Sequence, residues 1–255
     1  MDTQSDDSGV ASVKTFMEHL EDLRTALIRC AVVLVVGVIA ATFFAPDIFR
    51  LLTLPLVKAN LDPAKFLKIL DVMGGFNLAM LIGILGGLVV SSPLMVLFIA
   101  SFAFPGLTVK ERRAVVRFGG VAALLFVLGV CMGYYLVLPV TLKILLGVGR
   151  WMGVSVDFLT AYDYVIFCLY VLLAFGLSFE LPVILVLLGS LGIMESRQLR
   201  SARSYSIVFI LIFAMVITPD TSAFSQIVMA VPMILMYEIA IWVMWFNERR
   251  AKSAG

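Results

Sequence analysis

The sequence predicts an all-α, polytopic membrane protein of six transmembrane helices, with both ends on the cytoplasmic side. Three observations lead there. Hydrophobic residues make up 62% of the chain and charged residues only 14%, well outside the composition of a water-soluble domain. The apolar residues gather into blocks about 20 residues long or longer, enough helix to cross about 30 Å of hydrocarbon. Lys and Arg divide unevenly over the connecting segments, thirteen on one side and six on the other, and the richer side faces the cytoplasm.

The elements follow in order. Residues 1–14 are polar and acidic, without the basic start of a secretory signal, and are expected to form a disordered cytoplasmic tail. The six-helix domain is expected over residues 15–247. Phe16, Leu20, Leu23 and Leu27 recur at three-to-four spacing, which predicts an amphipathic helix leading into the first span. The spans are expected at 26–45, 76–104, 114–139, 161–190, 205–218 and 223–246, with a second cytoplasmic tail at 248–255. The break at Thr218-Pro219-Asp220-Thr221-Ser222 divides the last apolar block. It leaves a fifth span of about 14 residues, or about 21 Å, short for an ordinary bilayer. The outer segment 46–75 is expected to form a partly structured cap, and 143–160 a second outer loop. Pro93, Pro182 and Pro232 fall inside spans and predict kinks. Gly83 with Gly87 and Gly129 with Gly133 each form GxxxG, expected to serve packing within the chain.

Several function classes drop out. Cys30, Cys131 and Cys168 lie in separate apolar runs, and His19 is the one histidine, so neither a disulfide framework nor a metal site is expected. No hydrolase, zinc-protease or nucleotide fingerprint occurs. The chain is therefore expected to be no enzyme, with no catalytic residues and no cofactor. A net charge of +2 gives no reason to expect nucleic acid.

A few polar residues need a reason. Glu180 lies deep in the fourth span, where a carboxyl costs at least a few kcal/mol. It either meets a partner in a groove or bonds internally beside Pro182. Glu238, in the last span, can reach the cytoplasmic interface, and Gln226 opens that span near its outer end. Glu21 and Asp22 form an acidic pair at the cytoplasmic surface, apt for the guanidinium fork of arginine. A solvated face with a local Glu21–Arg24 pair is the plainer alternative. Thr15 with Glu18, Thr108 with Glu111 and Thr160 with Asp163 each have capping-box spacing.

The segment His19-Leu20-Glu21-Asp22-Leu23-Arg24 resembles the amino-terminal motif of the TatC family of the twin-arginine protein translocase. So does the loop Phe102-Ala103-Phe104-Pro105-Gly106-Leu107 with Glu111-Arg112-Arg113. Phe175 to Pro182 is similar to that family's fourth-span signature, and Thr218 to Glu238 to its last hairpin. Asp22 stands where the family usually has Glu, and the outer hairpin is slightly longer than the common form. The resemblance implies a cupped six-helix fold in the bacterial inner membrane and a receptor for the twin-Arg signal peptides of folded cargo. It implies that Asp22 and Glu111, with Glu21 as neighbour, hold the arginine pair on a surface shaped by Arg24, Phe102, Pro105 and Leu107. It also implies that Glu180, Gln226 and Glu238 face a groove or partner, that TatA and TatB join in a hetero-oligomer, and that the proton-motive force drives export. The alternative from another class is a small-solute secondary transporter or channel using Glu180.

Overall fold

The structure is a computed structural model and describes residues 16–58, 61–103, 109–153, 158–190, 194–217 and 223–253. Helix α1 (Phe16–Phe43) starts with the amphipathic segment and carries on through the first apolar block without a break. On the opposite side follow α2 (Ala45–Lys58), the single turn α3 (Pro63–Phe66) and β1 (Leu67–Lys68). The second long rod is α4 (Gly74–Leu81), a π-helical turn at Ile82–Gly86 and α5 (Gly87–Ala103). The third is α6 (Val109–Met132), a π-helical turn at Gly133–Val137 and α7 (Leu138–Trp151). Then come β2 (Leu159–Thr160), α8 (Ala161–Ser190), the short α9 (Ser196–Ser201), α10 (Arg203–Ile217) and α11 (Ala223–Ser253).

Five of these rods are long and apolar enough to cross a membrane, and the apolar stretch Arg203–Val216 is shorter. The all-α, polytopic class is the one the sequence predicts. Among the described residues the sole sheet is a two-residue parallel pairing of β1 with β2. The third rod differs from expectation. It runs on to Trp151 and takes up the first half of what reads as the outer loop 143–160. Burial accounts for the extension past Pro139: Leu138, Thr141 and Leu142 form a buried stripe at helical spacing. Helix α11 likewise continues through the expected tail to Ser253.

Helix α8 is the hub. Of its apolar window 61% is buried, against 22% in α1, and the core cluster centres on its Val165, Cys168, Val171 and Phe175. Two glycine contacts set how closely the neighbours approach. A Cβ at Gly129 of α6 would lie 2.5 Å from the Phe175 carbonyl oxygen of α8, and one at Gly87 would lie 2.6 Å from the Val38 backbone of α1. Both GxxxG pairs thus serve packing within the chain.

Prolines inside helices leave carbonyls without an N–H donor, and side chains supply the replacement. Pro55 in α2 cannot donate to Leu51, whose carbonyl instead accepts the Tyr134 hydroxyl at 2.6 Å. The next carbonyl, Leu52, accepts the buried Tyr164 hydroxyl at 2.6 Å. Two membrane helices therefore hold the outer cap by hydroxyls that land where Pro55 loosened the turn. Pro93 leaves the Val89 carbonyl, which the Ser92 hydroxyl satisfies at 2.9 Å. Pro139 follows the π-helical turn Gly133–Val137, a widening that relieves the clash of its ring with the preceding turn. Pro93, Pro182 and Pro232 all remain inside continuous helices.

Candidate functional site

Helices α1 and α5 run antiparallel, and the register between them sets the position of the acidic pair. A Cβ on Gly83 would meet the Thr42 hydroxyl, and one on Gly87 the backbone of Val38. Further along, the Ser91 hydroxyl donates to the Val33 carbonyl at 3.0 Å, and the Cys30 thiol to the Met95 carbonyl at 3.8 Å. Carried on residue for residue, this register brings Asp22 level with Phe102 and Ala103, the last turn of α5. Asp22 is four residues before Ala26 and eight before Cys30, both buried, so it continues the stripe of α1 that faces α5. Glu21, one step around the helix, is exposed, as is Arg24, whereas Asp22 is half-buried. The local Glu21–Arg24 ion pair is absent among the described residues. Phe102 lies in the last turn of α5 and Glu111 in the first turn of α6, but their side chains are outside the described residues, as are Pro105 and Leu107 entirely. The caps expected at Thr15 and Thr108 are outside them too. The third is formed: the Asp163 N–H donates to the Thr160 hydroxyl at 3.2 Å, and that hydroxyl donates to the Asp163 carboxylate.

Glu180 is 2% exposed, and neither carboxylate oxygen has a hydrogen-bond partner. It lies one helical turn beyond Gly176, whose face is closed by the Phe126 ring of α6. Two cavities open between the second and fourth rods. One, of about 400 Å³, is lined by Lys68, Asp71, Asn77, Thr160, Tyr162 and Asp163 among others. The other, of about 550 Å³, is lined by Asn77, Ile84, Tyr162, Ile166 and Tyr170 among others. Neither is lined by Glu180, Gln226 or Glu238. Gln226 donates to the Leu211 carbonyl of α10 at 2.8 Å, and Glu238 accepts from Arg203 at 2.7 Å. These two residues tie α11 to the middle and to the first residue of α10.

A further set of contacts fixes the segment between α8 and α10. The Glu248 carboxylate accepts from the Ser196 N–H at 2.6 Å and the Ser196 hydroxyl at 2.5 Å, and the Tyr237 hydroxyl donates to the Leu199 carbonyl at 2.9 Å. Glu248 reads in sequence as one charge among several, and Tyr237 as part of the last-hairpin resemblance, with no sign of these contacts. Their partners are some 40 to 50 residues away, so no local pattern reveals them. The described residues contain no cluster of His, Cys, Asp or Glu able to hold a metal.

The family model for the Sec-independent protein translocase protein TatC matches residues 18–232. The chain belongs to the TatC family. It is 33% identical over 236 residues to the Sec-independent protein translocase protein TatC of Aquifex aeolicus, covering 92% of this chain and 97% of the relative. It is 31% identical to the Escherichia coli K12 TatC, covering 96% and 93%. A crystal structure of the twin-arginine translocase receptor TatC superposes with a TM-score of 0.79 at 33% identity, covering 89% of this chain and 98% of that one. A TatC-family chain is a multi-pass component of a protein translocase in the bacterial inner membrane, not an enzyme. The solute-transporter alternative finds no support in these likenesses.

Proposed function

We propose that this chain is the core receptor of its translocase and binds the twin-Arg signal peptides of folded cargo at its basic face, which lies in the cytoplasm. The α1–α5 register carries this reading. It brings Asp22 level with Phe102 and Ala103, where α5 ends before the loop that leads to Glu111. In this reading Asp22 and Glu111 supply two carboxylates from separate elements, and each takes a guanidinium of the signal peptide by paired hydrogen bonds. Asp22, on the α5-facing stripe, makes the main contact, and Glu21 on the exposed flank assists. Arg24, Pro105 and Leu107 shape the surface. The apolar part of the peptide lies along the membrane-embedded wall, and TatA and TatB dock on the last two spans as partners in export driven by the proton-motive force. Glu180 supports this part, since an orphaned carboxyl at that depth gains from a polar group on a partner helix or signal peptide.

The test is photo-crosslinking of an Arg-Arg signal peptide to the purified chain. Asp22→Ala and Glu111→Ala should each lower yield about tenfold, the size of a lost charged hydrogen bond. Glu21→Ala should cost less, and Arg→Lys in the peptide should mimic the protein variants. Unchanged yield in both Asp22→Ala and Glu111→Ala would reject the site.

A further inference from the structure

A second patch, independent of the signal-peptide reading, lies where α9 meets the end of α11. Trp242, Trp245 and Phe246 form an aromatic cluster, with ring centroids 5.0 Å apart for Trp245–Phe246 and 6.1 Å for Trp242–Trp245. Trp242 and Phe246 are over half exposed. Two guanidiniums meet on the Trp245 indole, Arg249 at 3.7 Å and Arg200 at 5.5 Å from its centroid. Arg197 lies one turn before Arg200 on the same short helix.

The charge balance here is unequal. Arg197, Arg200, Arg203, Arg249 and Arg250 face Glu195, Glu238 and Glu248, five cations against three anions. Glu248 is taken up by Ser196 and Glu238 by Arg203. Among the described residues no carboxylate lies within ion-pair distance of Arg197 or Arg200. The arginines have geometric support, because Tyr237 and Glu248 hold α9 against α11. The exposed aromatics sit about 20 residues, or about 30 Å, along α11 from its start, the depth at which Trp marks the membrane interface.

We propose that this corner is a binding site for the headgroup of an anionic phospholipid. The phosphate sits against Arg197 and Arg200, and the acyl chains run down the exposed flank of α11 past Phe246 and Trp242. Lipid is the occupant because the cationic groups and the interfacial aromatics coincide at one level of a membrane-embedded helix, so an anionic headgroup meets both at once. A zwitterionic headgroup offers the same tails but no net charge to bind.

The chain has three tryptophans, and Trp151 is 86% exposed at the other end of the molecule. In a Trp151→Phe background, fluorescence reports this corner alone. The full chain is reconstituted into phosphatidylcholine bilayers containing a minor fraction of lipid brominated on its acyl chains. Brominated phosphatidylglycerol should quench with an apparent preference of about fivefold over brominated phosphatidylcholine. Arg197→Gln/Arg200→Gln should bring that preference to about one, while Arg197→Lys/Arg200→Lys keeps most of it and Lys65→Gln/Lys68→Gln leaves it intact. Equal quenching by the two lipids overturns the proposal without recourse to any variant. It is equally overturned if the Gln pair keeps the preference, or if Lys65→Gln/Lys68→Gln abolishes it as well.

Discussion

At the residue scale, the fourth rod holds a group that does not help it fold. Glu180 is buried with both oxygens unpartnered, and leaving a polar group in that state costs about 1–3 kcal/mol. An apolar side chain of similar size removes the cost, as replacement of buried ionic groups often does. Glu180→Leu should therefore add about 1 kcal/mol or more of stability and raise the thermal midpoint of the purified protein, while export activity falls. A lowered midpoint would mean the carboxyl stabilises the fold, and full export would remove its role with partners. Tyr134 and Tyr164 are the opposite case. Each hydroxyl fills a carbonyl on the Pro55 turn, and each bond contributes about 1 kcal/mol. Tyr134→Phe and Tyr164→Phe should lower the midpoint by a few degrees, with the exposed Tyr135→Phe as an unchanged control.

At the element scale, close contact rather than polar bonding decides where the rods lie. The Gly129 face of α6 has no room for a Cβ beside the Phe175 carbonyl, where backbone rather than a flexible side chain blocks the way. Gly129→Val should cost about 1–3 kcal/mol, while the same change at Gly120, which has open space, should cost far less. Thermal unfolding of the two variants side by side checks this, and equal loss would mean the close approach is unimportant. The elements also show what sequence could reveal. The bounds of α8 coincide with the expected fourth span, because an apolar run of 30 residues opened by Thr160 and Asp163 has one reading. The GxxxG faces, too, were legible as packing surfaces. The length of α7 was not, because Lys143 and Arg150 look like loop charges until Leu138, Thr141 and Leu142 are seen to be buried. Nor was the α1–α5 register, since which turn meets which depends on Gly37, Gly87 and Ser91 fitting across two helices.

At the scale of the whole molecule, the helices disagree about how thick the membrane should be. Helix α8 has 30 residues, about 45 Å, and α10 has 15, about 22 Å. A flat slab of about 30 Å is too thin for the first and too thick for the second. Helix α8 adjusts by tilting or projecting, since its ends meet protein on both sides, in β2 and in the α9 segment. Helix α10 has no such freedom. Gln226 and Glu238 pin it to α11 at its middle, Leu211, and its first residue, Arg203, and Val208, Phe209, Ile212 and Val216 leave its outer flank exposed. The mismatch must then be taken up by the lipid, which thins beside α10 at a cost of fractions of a kcal/mol per Å. Bilayers of increasing acyl-chain length should therefore loosen α10 before any other element. In nanodiscs of 14-carbon lipids, amide exchange in α10 should be slow. In 22-carbon lipids it should speed up about tenfold or more, from a mismatch of several Å, while α8 keeps its protection. Exchange that rises evenly across both helices would place the strain in the whole fold, and exchange indifferent to lipid length would mean that α10 is shielded from the bilayer by protein.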